Sequence, residues 1–160
     1  MSPHTAHIAL GSNLGDRAAT LTDALAAIGA LPATSLAAVS PFIETDPVGP
    51  GTQGKYLNAA AELRTALSPA ELLAGLLAIE RAHGRDRARE QRWGPRRLDL
   101  DILLFESLVL DAPGLVIPHP RMHERPFVLE PLNAIAPGAT HPLLKVTVGQ
   151  LLARHRHAPT

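Results

Sequence analysis

The segment from Arg92 to Phe105 constrains this chain more than any other. It reads Arg92-Trp93-Gly94-Pro95-Arg96-Arg97-Leu98-Asp99-Leu100-Asp101-Ile102-Leu103-Leu104-Phe105: a cationic turn holding the only tryptophan, followed by a strand. Side chains alternate along a strand, so Leu98, Leu100, Ile102 and Leu104 are expected on one face and Asp99 and Asp101 on the other. The chain must therefore build a sheet with an apolar face to cover and a carboxylate pair on the opposite side. Two positions along a strand span roughly 6.5–7 Å, so the two charges repel unless a divalent cation or the neighbouring arginines lie between them. Asp-x-Asp alone is more often a solvated strand face, but a solvated face has no need of Trp93, Gly94 and Pro95 leading into it. Carboxylate pair, arginines and aromatic plate together suggest a Mg²⁺-dependent site for phosphoryl chemistry on a flat substrate.

The 160 residues fit one domain, with enough chain for a core that needs no staples. No cysteine is present, which removes disulfides, thiolate metal sites and a cysteine nucleophile from consideration and suits a cytoplasmic location. With 15 basic and 15 acidic residues the formal net charge is zero, so overall electrostatics point to neither nucleic acid nor membrane. The charge is nevertheless unevenly placed: Arg85, Arg87, Arg89, Arg92, Arg96 and Arg97 crowd one segment. The opening residues lack a cationic lead and a long apolar run, so no secretory signal is expected, and no stretch approaches the roughly 18 apolar residues of a membrane span.

Periodicity and turn residues predict the order of elements. A short strand over 7–10 ends at Gly11-Ser12-Asn13, and a helix follows with Leu21, Leu25 and Ile28 on one face and Gly29 near its end. A second strand over 36–44 is interrupted by Pro41 and so belongs at an edge or bulge. A third covers 56–65. Ser68-Pro69-Ala70-Glu71 combines a capping serine, a proline at the first helical position and a glutamate that can close a capping box, starting a helix that stops near Gly84. After the aspartate strand, 108–110 and 115–117 can extend the sheet, 127–135 reads as a helix despite Pro131, and 148–153 as a last short one. The pattern is α+β: a ferredoxin-like antiparallel sheet with a βαββαβ core, helices and a C-terminal extension. The long segments 45–54 and 84–97 flank the aspartates, where loops carry function. His4, His7, His155 and His157, near the termini, are expected at the surface.

Four blocks of residues resemble the 6-hydroxymethyl-7,8-dihydropterin pyrophosphokinases (2-amino-4-hydroxy-6-hydroxymethyldihydropteridine diphosphokinases) of folate biosynthesis, over essentially the whole chain, 1–160. They are Ile8-Ala9-Leu10-Gly11-Ser12-Asn13-Leu14-Gly15-Asp16; Tyr56-Leu57-Asn58-Ala59-Ala60; Arg92-Trp93-Gly94-Pro95-Arg96 with Leu98-Asp99-Leu100-Asp101-Ile102; and Ile117-Pro118-His119-Pro120-Arg121-Met122 with Arg125 and Phe127. The third block is highly specific, whereas the first alone is a common glycine turn.

The resemblance implies that ATP donates its terminal diphosphate to the pterin hydroxymethyl group and AMP leaves, with ATP as co-substrate and two Mg²⁺ ions held by Asp99 and Asp101. It implies phosphate contacts from Arg85 and Arg96 during the chemistry, and ATP binding by Arg87, Arg92, Ile102, His119 and Arg121. Arginine's planar fork suits phosphate better than a lysine point charge. Trp93 and Phe127 resemble the plates that sandwich the pterin. Asn58 resembles the amide that hydrogen-bonds the pterin edge, with Thr45, Val48 and Tyr56 forming its wall. A loop over 84–97 that closes on both substrates would exclude water. The family further suggests a monomer acting on small molecules, without nucleic acid or membrane partners.

Leu77, Gly114 and Val116 stand where some members carry a glutamine, an arginine and a threonine, which bears on nucleotide-base contacts. Two other functions are compatible with parts of the pattern. An ordinary Mg²⁺-dependent phosphotransferase could use the same aspartates, and a non-enzymatic RNA-binding ferredoxin-like module could use the arginines. The RNA module needs exposed aromatics, and only 3% of residues are aromatic. The spacing His119-x-x-x-His123 resembles a zinc helix, but Pro120 breaks its start.

Overall fold

The structure, a computed structural model, describes residues 3–45, 55–84 and 98–156. The chain runs β1 (His4–Ser12), α1 (Arg17–Gly29), β2 (Thr34–Val39), β3 (Ile43–Thr45), β4 (Tyr56–Thr65), α2 (Pro69–Ala82), β5 (Asp99–Phe105), β6 (Leu110–Ala112), β7 (Leu115–Ile117), a 3₁₀ turn (Met122–Glu124), α3 (Pro126–Ile135) and α4 (Val148–Arg156). It is an α+β fold built on an antiparallel sheet ordered β2-β4-β1-β5, with β3 also paired to β4.

The sheet is covered on both faces. Ile8 and Leu10 of β1, Ala61 and Leu63 of β4, and Leu100 and Ile102 of β5 pack with Leu21, Leu25 and Ile28 of α1 and Leu72, Leu76 and Ile79 of α2. Ala60 of β4 and Leu103 and Leu104 of β5 instead join Val128, Leu129 and Leu132 of α3 and Leu151 and Leu152 of α4. Here the simple alternation fails. His7 stands opposite Leu104 while Ile8 stands opposite Ile102, leaving Leu103 as the extra residue of a bulge. A bulge inverts the facing of every residue beyond it. Leu104, expected on the same face as Leu100 and Ile102, therefore lies in the α3–α4 layer, and Phe105 returns to the α1–α2 layer.

Local rules account for most boundaries. The side-chain oxygen of Ser68 accepts the Glu71 N–H at 3.1 Å while Glu71 accepts the Ser68 N–H at 2.9 Å, a complete capping box before Pro69. These bonds also hold the Glu71 carboxyl below its ordinary pKa. Ser68→Ala is expected to lower global stability by about 1 kcal/mol, read as an earlier urea midpoint with an unchanged slope. At the other end of α2, Gly84 adopts φ +85°, the left-handed stop that glycine permits. Pro41 divides the expected second strand into β2 and β3, both on the outer side of β4. The Ser40 hydroxyl accepts the Ala60 N–H at 2.9 Å across the break.

Several expectations change. Strand β1 is longer at both ends than 7–10 because it pairs along its length with β4. β6 and β7 pair with each other in a separate two-stranded sheet rather than extending the main one. Gly114, at φ +75°, follows Pro113 in their connecting turn, which fits a type II pattern. His7 is buried, only 6% exposed, with its ring Nε2 2.9 Å from Glu62 Oε1. Its position in a central strand decides its burial, not its nearness to the terminus. His155 is likewise half-buried, its Nε2 2.8 Å from the His123 carbonyl. Helix α4 runs on to Arg156, and Pro131 sits inside α3.

Candidate active site

The carboxylates and the amide lie in one row across three strands. Asp99 pairs with Gly11, and Gly11 with Asn58 on its other side. In the next row Asp101 stands opposite Ala9, and Ala9 opposite Ala60. Residues directly opposite share a face, so Asp99, Asp101 and Asn58 all lie on the α3 side of the sheet. Neighbouring strands are about 4.8 Å apart, which sets Asn58 about 10 Å from Asp99 across the sheet. Gly11, Ala9 and Ala60 make the floor between them low.

Gly11 sits at a close approach to the amide. A Cβ there would lie 3.3 Å from Asn58 Oδ1 and 3.5 Å from Tyr56 Cδ1. Asn58 is 7% exposed, and its Nδ2 donates to Thr45 Oγ1 at 2.6 Å. That bond orients the amide so that Oδ1 faces the floor of the row. Thr45, Tyr56, Asn58 and Gly11 are thus brought together at the end of β3 and β4. Phe127, at the start of α3, is partly buried against the same layer, with the Arg125 guanidinium 5.8 Å from its ring centroid, within cation–π range.

On the other side of Asp101 a cleft of about 220 Å³ is bounded by Leu73, Leu100, Asp101, Ile102, Gly114, Leu115, Val116, His119 and Pro120. Most of these side chains are apolar, and among the described lining residues Asp101 and His119 are the ionisable ones. The His119 N–H donates to the Leu103 carbonyl at 3.0 Å, pinning this segment to the outer edge of β5 at the bulge. His119 Nδ1 accepts the Arg121 N–H at 3.2 Å, so in the neutral ring the proton sits on Nε2. Burial is the main reason the His119 pKa falls to about 4; Arg125 and Arg121 push it the same way, and Asp99 opposes them. At neutral pH the ring is therefore an uncharged donor beside the carboxylates.

This depression has a thermodynamic consequence. As the pH falls below about 6.5 the unfolded chain takes up a proton at this position, while the folded chain resists until about pH 4. Stability is expected to fall through that window, by at most about 1.4 kcal/mol per pH unit from this group, with no further loss below it. His119→Asn should flatten the slope in urea denaturation repeated between about pH 7 and about pH 4.

Val48, Arg85, Arg87, Arg92, Trp93 and Arg96, with Arg89, Arg97 and His157, lie outside the described residues. Among the remaining expected site residues, Asp99, Asp101, Ile102 and His119 converge on the β5 edge, and Thr45, Tyr56 and Asn58 on the β3–β4 end. The Arg121 guanidinium is turned outward, its Nε donating to Glu124 at 2.9 Å. Arg125 acts on His119 more strongly than Arg121 does and lies near Phe127. Arg125 stands in the fourth block with no role implied for it by the resemblance; its spacing two residues before Phe127 is the signal in the sequence.

The two carboxylates suit a hard cation that takes oxygen ligands. Among the described residues no group of three or more His, Cys, Asp or Glu side chains could close an all-protein metal site. Magnesium fits such a pair because it takes one or two carboxylates and fills its shell with phosphate oxygens and water.

A sequence model of the family described as 7,8-dihydro-6-hydroxymethylpterin-pyrophosphokinase (HPPK) matches residues 7–137. A Pseudomonas aeruginosa 2-amino-4-hydroxy-6-hydroxymethyldihydropteridine pyrophosphokinase is 50% identical over 131 residues, covering 82% of this chain and 80% of that protein. The Bacillus subtilis protein of the same name is 50% identical over 130 residues, covering 81% and 77%. Similar folds occur in a crystal structure of HPPK-DHPS in complex with substrates (TM-score 0.73, 13% identity) and in wild-type Plasmodium falciparum HPPK-DHPS (TM-score 0.73, 14% identity). Each is matched over 96% of this chain, which spans 43% and 45% of those longer chains. Two carboxylates and a buried amide on one sheet face, carried by a chain half identical to these enzymes, make it a member of the 7,8-dihydro-6-hydroxymethylpterin-pyrophosphokinase family and a pyrophosphokinase of folate biosynthesis.

Proposed function

We propose that the protein transfers the terminal diphosphate of ATP to the hydroxymethyl oxygen of 6-hydroxymethyl-7,8-dihydropterin, releasing AMP. One observation carries this reading: the row Asp99–Gly11–Asn58, which sets a carboxylate and a buried amide about 10 Å apart over a low floor. The hydroxyl oxygen attacks the β-phosphorus, the bond to the α,β-bridging oxygen breaks, and that oxygen leaves with AMP. The hydroxyl proton departs to solvent.

Asn58 would hold the pterin edge, with Thr45 fixing its amide and Tyr56 and Val48 beside it. Phe127 and Trp93 would stack on the ring. Asp99 and Asp101 would hold two Mg²⁺ ions, which when bound neutralise the diphosphate and acidify the attacking hydroxyl. His119, with its proton on Nε2, would donate to a phosphate oxygen without itself bringing a charge, and Arg85, Arg87, Arg92, Arg96 and Arg121 would supply cationic contacts. Adenine would lie against Ile102 in the cleft. The work of the side chains is positioning and stabilisation of charge rather than covalent chemistry.

We read the core further as ferredoxin-like. The order β2-β4-β1-β5, antiparallel throughout, follows the βαββαβ pattern once β2 and β3 are taken as one interrupted strand, with α3 and α4 as the extension. We also read the chain as one domain acting as a cytoplasmic monomer on small molecules. This is supported by one main sheet covered on both faces, and no described helix is long and apolar enough to cross a membrane.

Incubation with ATP, Mg²⁺ and the pterin, resolving AMP from ADP, tests the reaction. Pterin-dependent AMP is expected. ADP would make it an ordinary kinase, and no turnover by folded protein would remove the assignment.

A further inference from the structure

Among the described strands β5 is the edge of the main sheet. Groups from elsewhere reach its outward backbone: His119 donates to the Leu103 carbonyl at 3.0 Å, and Glu80 Oε2 accepts the Leu100 N–H at 2.8 Å. Glu80 comes from the last turn of α2 and is 1% exposed. A leucine would also fill a buried place of this kind. What leucine could not do is accept the Leu100 N–H, and Leu100 is the residue between Asp99 and Asp101.

We infer that Glu80 is a positioning residue for the carboxylate pair: by holding the Leu100 N–H at the sheet edge, it fixes the Asp99–Leu100 peptide, through which the backbone passes from one aspartate to the next. The two side chains are thereby held at the separation at which both can reach the same cation and diphosphate. This inference rests on the metal-binding role proposed above for the two aspartates. An edge strand with an unpaired N–H at this point could twist outward, which would separate the carboxylates without unfolding the sheet. Groups that orient metal-binding side chains typically change metal affinity or activity by about 10–100-fold when removed.

The test uses the full chain as wild type, Glu80→Gln, Glu80→Leu and Asp101→Ala. Binding of Mn²⁺, as a paramagnetic stand-in for Mg²⁺, is followed by loss of the free-ion resonance signal. An ATP analogue with a methylene group at the α,β bridge is present, so no turnover occurs. Steady-state kinetics and thermal midpoints are taken alongside. Glu80→Leu should bind Mn²⁺ about 10–100-fold more weakly and lose kcat by a similar factor, with KM for the pterin unchanged. Glu80→Gln keeps an oxygen acceptor and should recover most of both. Folded Glu80→Leu with wild-type Mn²⁺ affinity and kcat would overturn the positioning role. If Glu80→Leu does not fold, Glu80→Gln decides: wild-type Mn²⁺ affinity supports an acceptor role, and a loss equal to that of Asp101→Ala overturns it in favour of direct charge. Mn²⁺ binding by Asp101→Ala equal to wild type would instead overturn the metal role of the aspartates.

Discussion

Asp101→Ala, and equally Asp99→Ala, is expected to reduce kcat by roughly 10³-fold or more while the protein stays folded. Both side chains lie on the site face of β5 and are partly exposed, outside either hydrophobic layer. Two carboxylates roughly 6.5 Å apart repel by about 1–3 kcal/mol, depending on how much water reaches them. Removing one relieves that repulsion and leaves both hydrophobic layers intact, so the variants should stay folded in chelator. In Mg²⁺ and ATP the wild type should gain more. Ligand that binds only the folded wild type adds stability in proportion to the logarithm of its concentration over Kd, and the variants should lose that increment. Normal turnover in either variant would remove the metal assignment. A lowered midpoint in chelator would mean that the aspartates serve the fold.

Asn58→Ala should cost about 2–4 kcal/mol in kcat/KM for the pterin, roughly 30–1000-fold. Two effects combine. The variant loses hydrogen bonds to the substrate edge, and it leaves the substrate's polar groups buried without partners, which is the more expensive part. Thr45 Oγ1, which now accepts from Asn58 Nδ2 at 2.6 Å, would also lose its donor. The loss should fall on KM and kcat/KM for the pterin, with KM for ATP nearly unchanged, because the amide lies two strands away from Asp99. An equal loss for both substrates would show that Asn58 supports the sheet rather than the ring.

The elements whose cause is local were legible in the amino-acid sequence. Tyr56–Thr65 follows from alternation alone, the start of α2 from Ser68, Pro69 and Glu71, and the break at Pro41 from the absence of a donor N–H. Asp99 and Asp101 share a face because strand geometry leaves them no alternative. Family-specific blocks named most of the remaining residues, yet Gly11, Asn58 and Asp99, far apart in the chain, become a site only through pairing. Tertiary structure decided that Gly11 stands between Asn58 and Asp99, because strand register depends on how whole strands match rather than on any one residue. It decided that Leu103 bulges and carries Leu104 to the other layer, since the bulge exists only relative to β1. It also buried His7 in a central strand and brought Glu80 from α2 to the Leu100 N–H. Each of these depends on contacts between segments far apart in the chain, for which the local sequence carries no periodic signal. The order of residues along the chain carries the chemical groups; the register of three strands places them together.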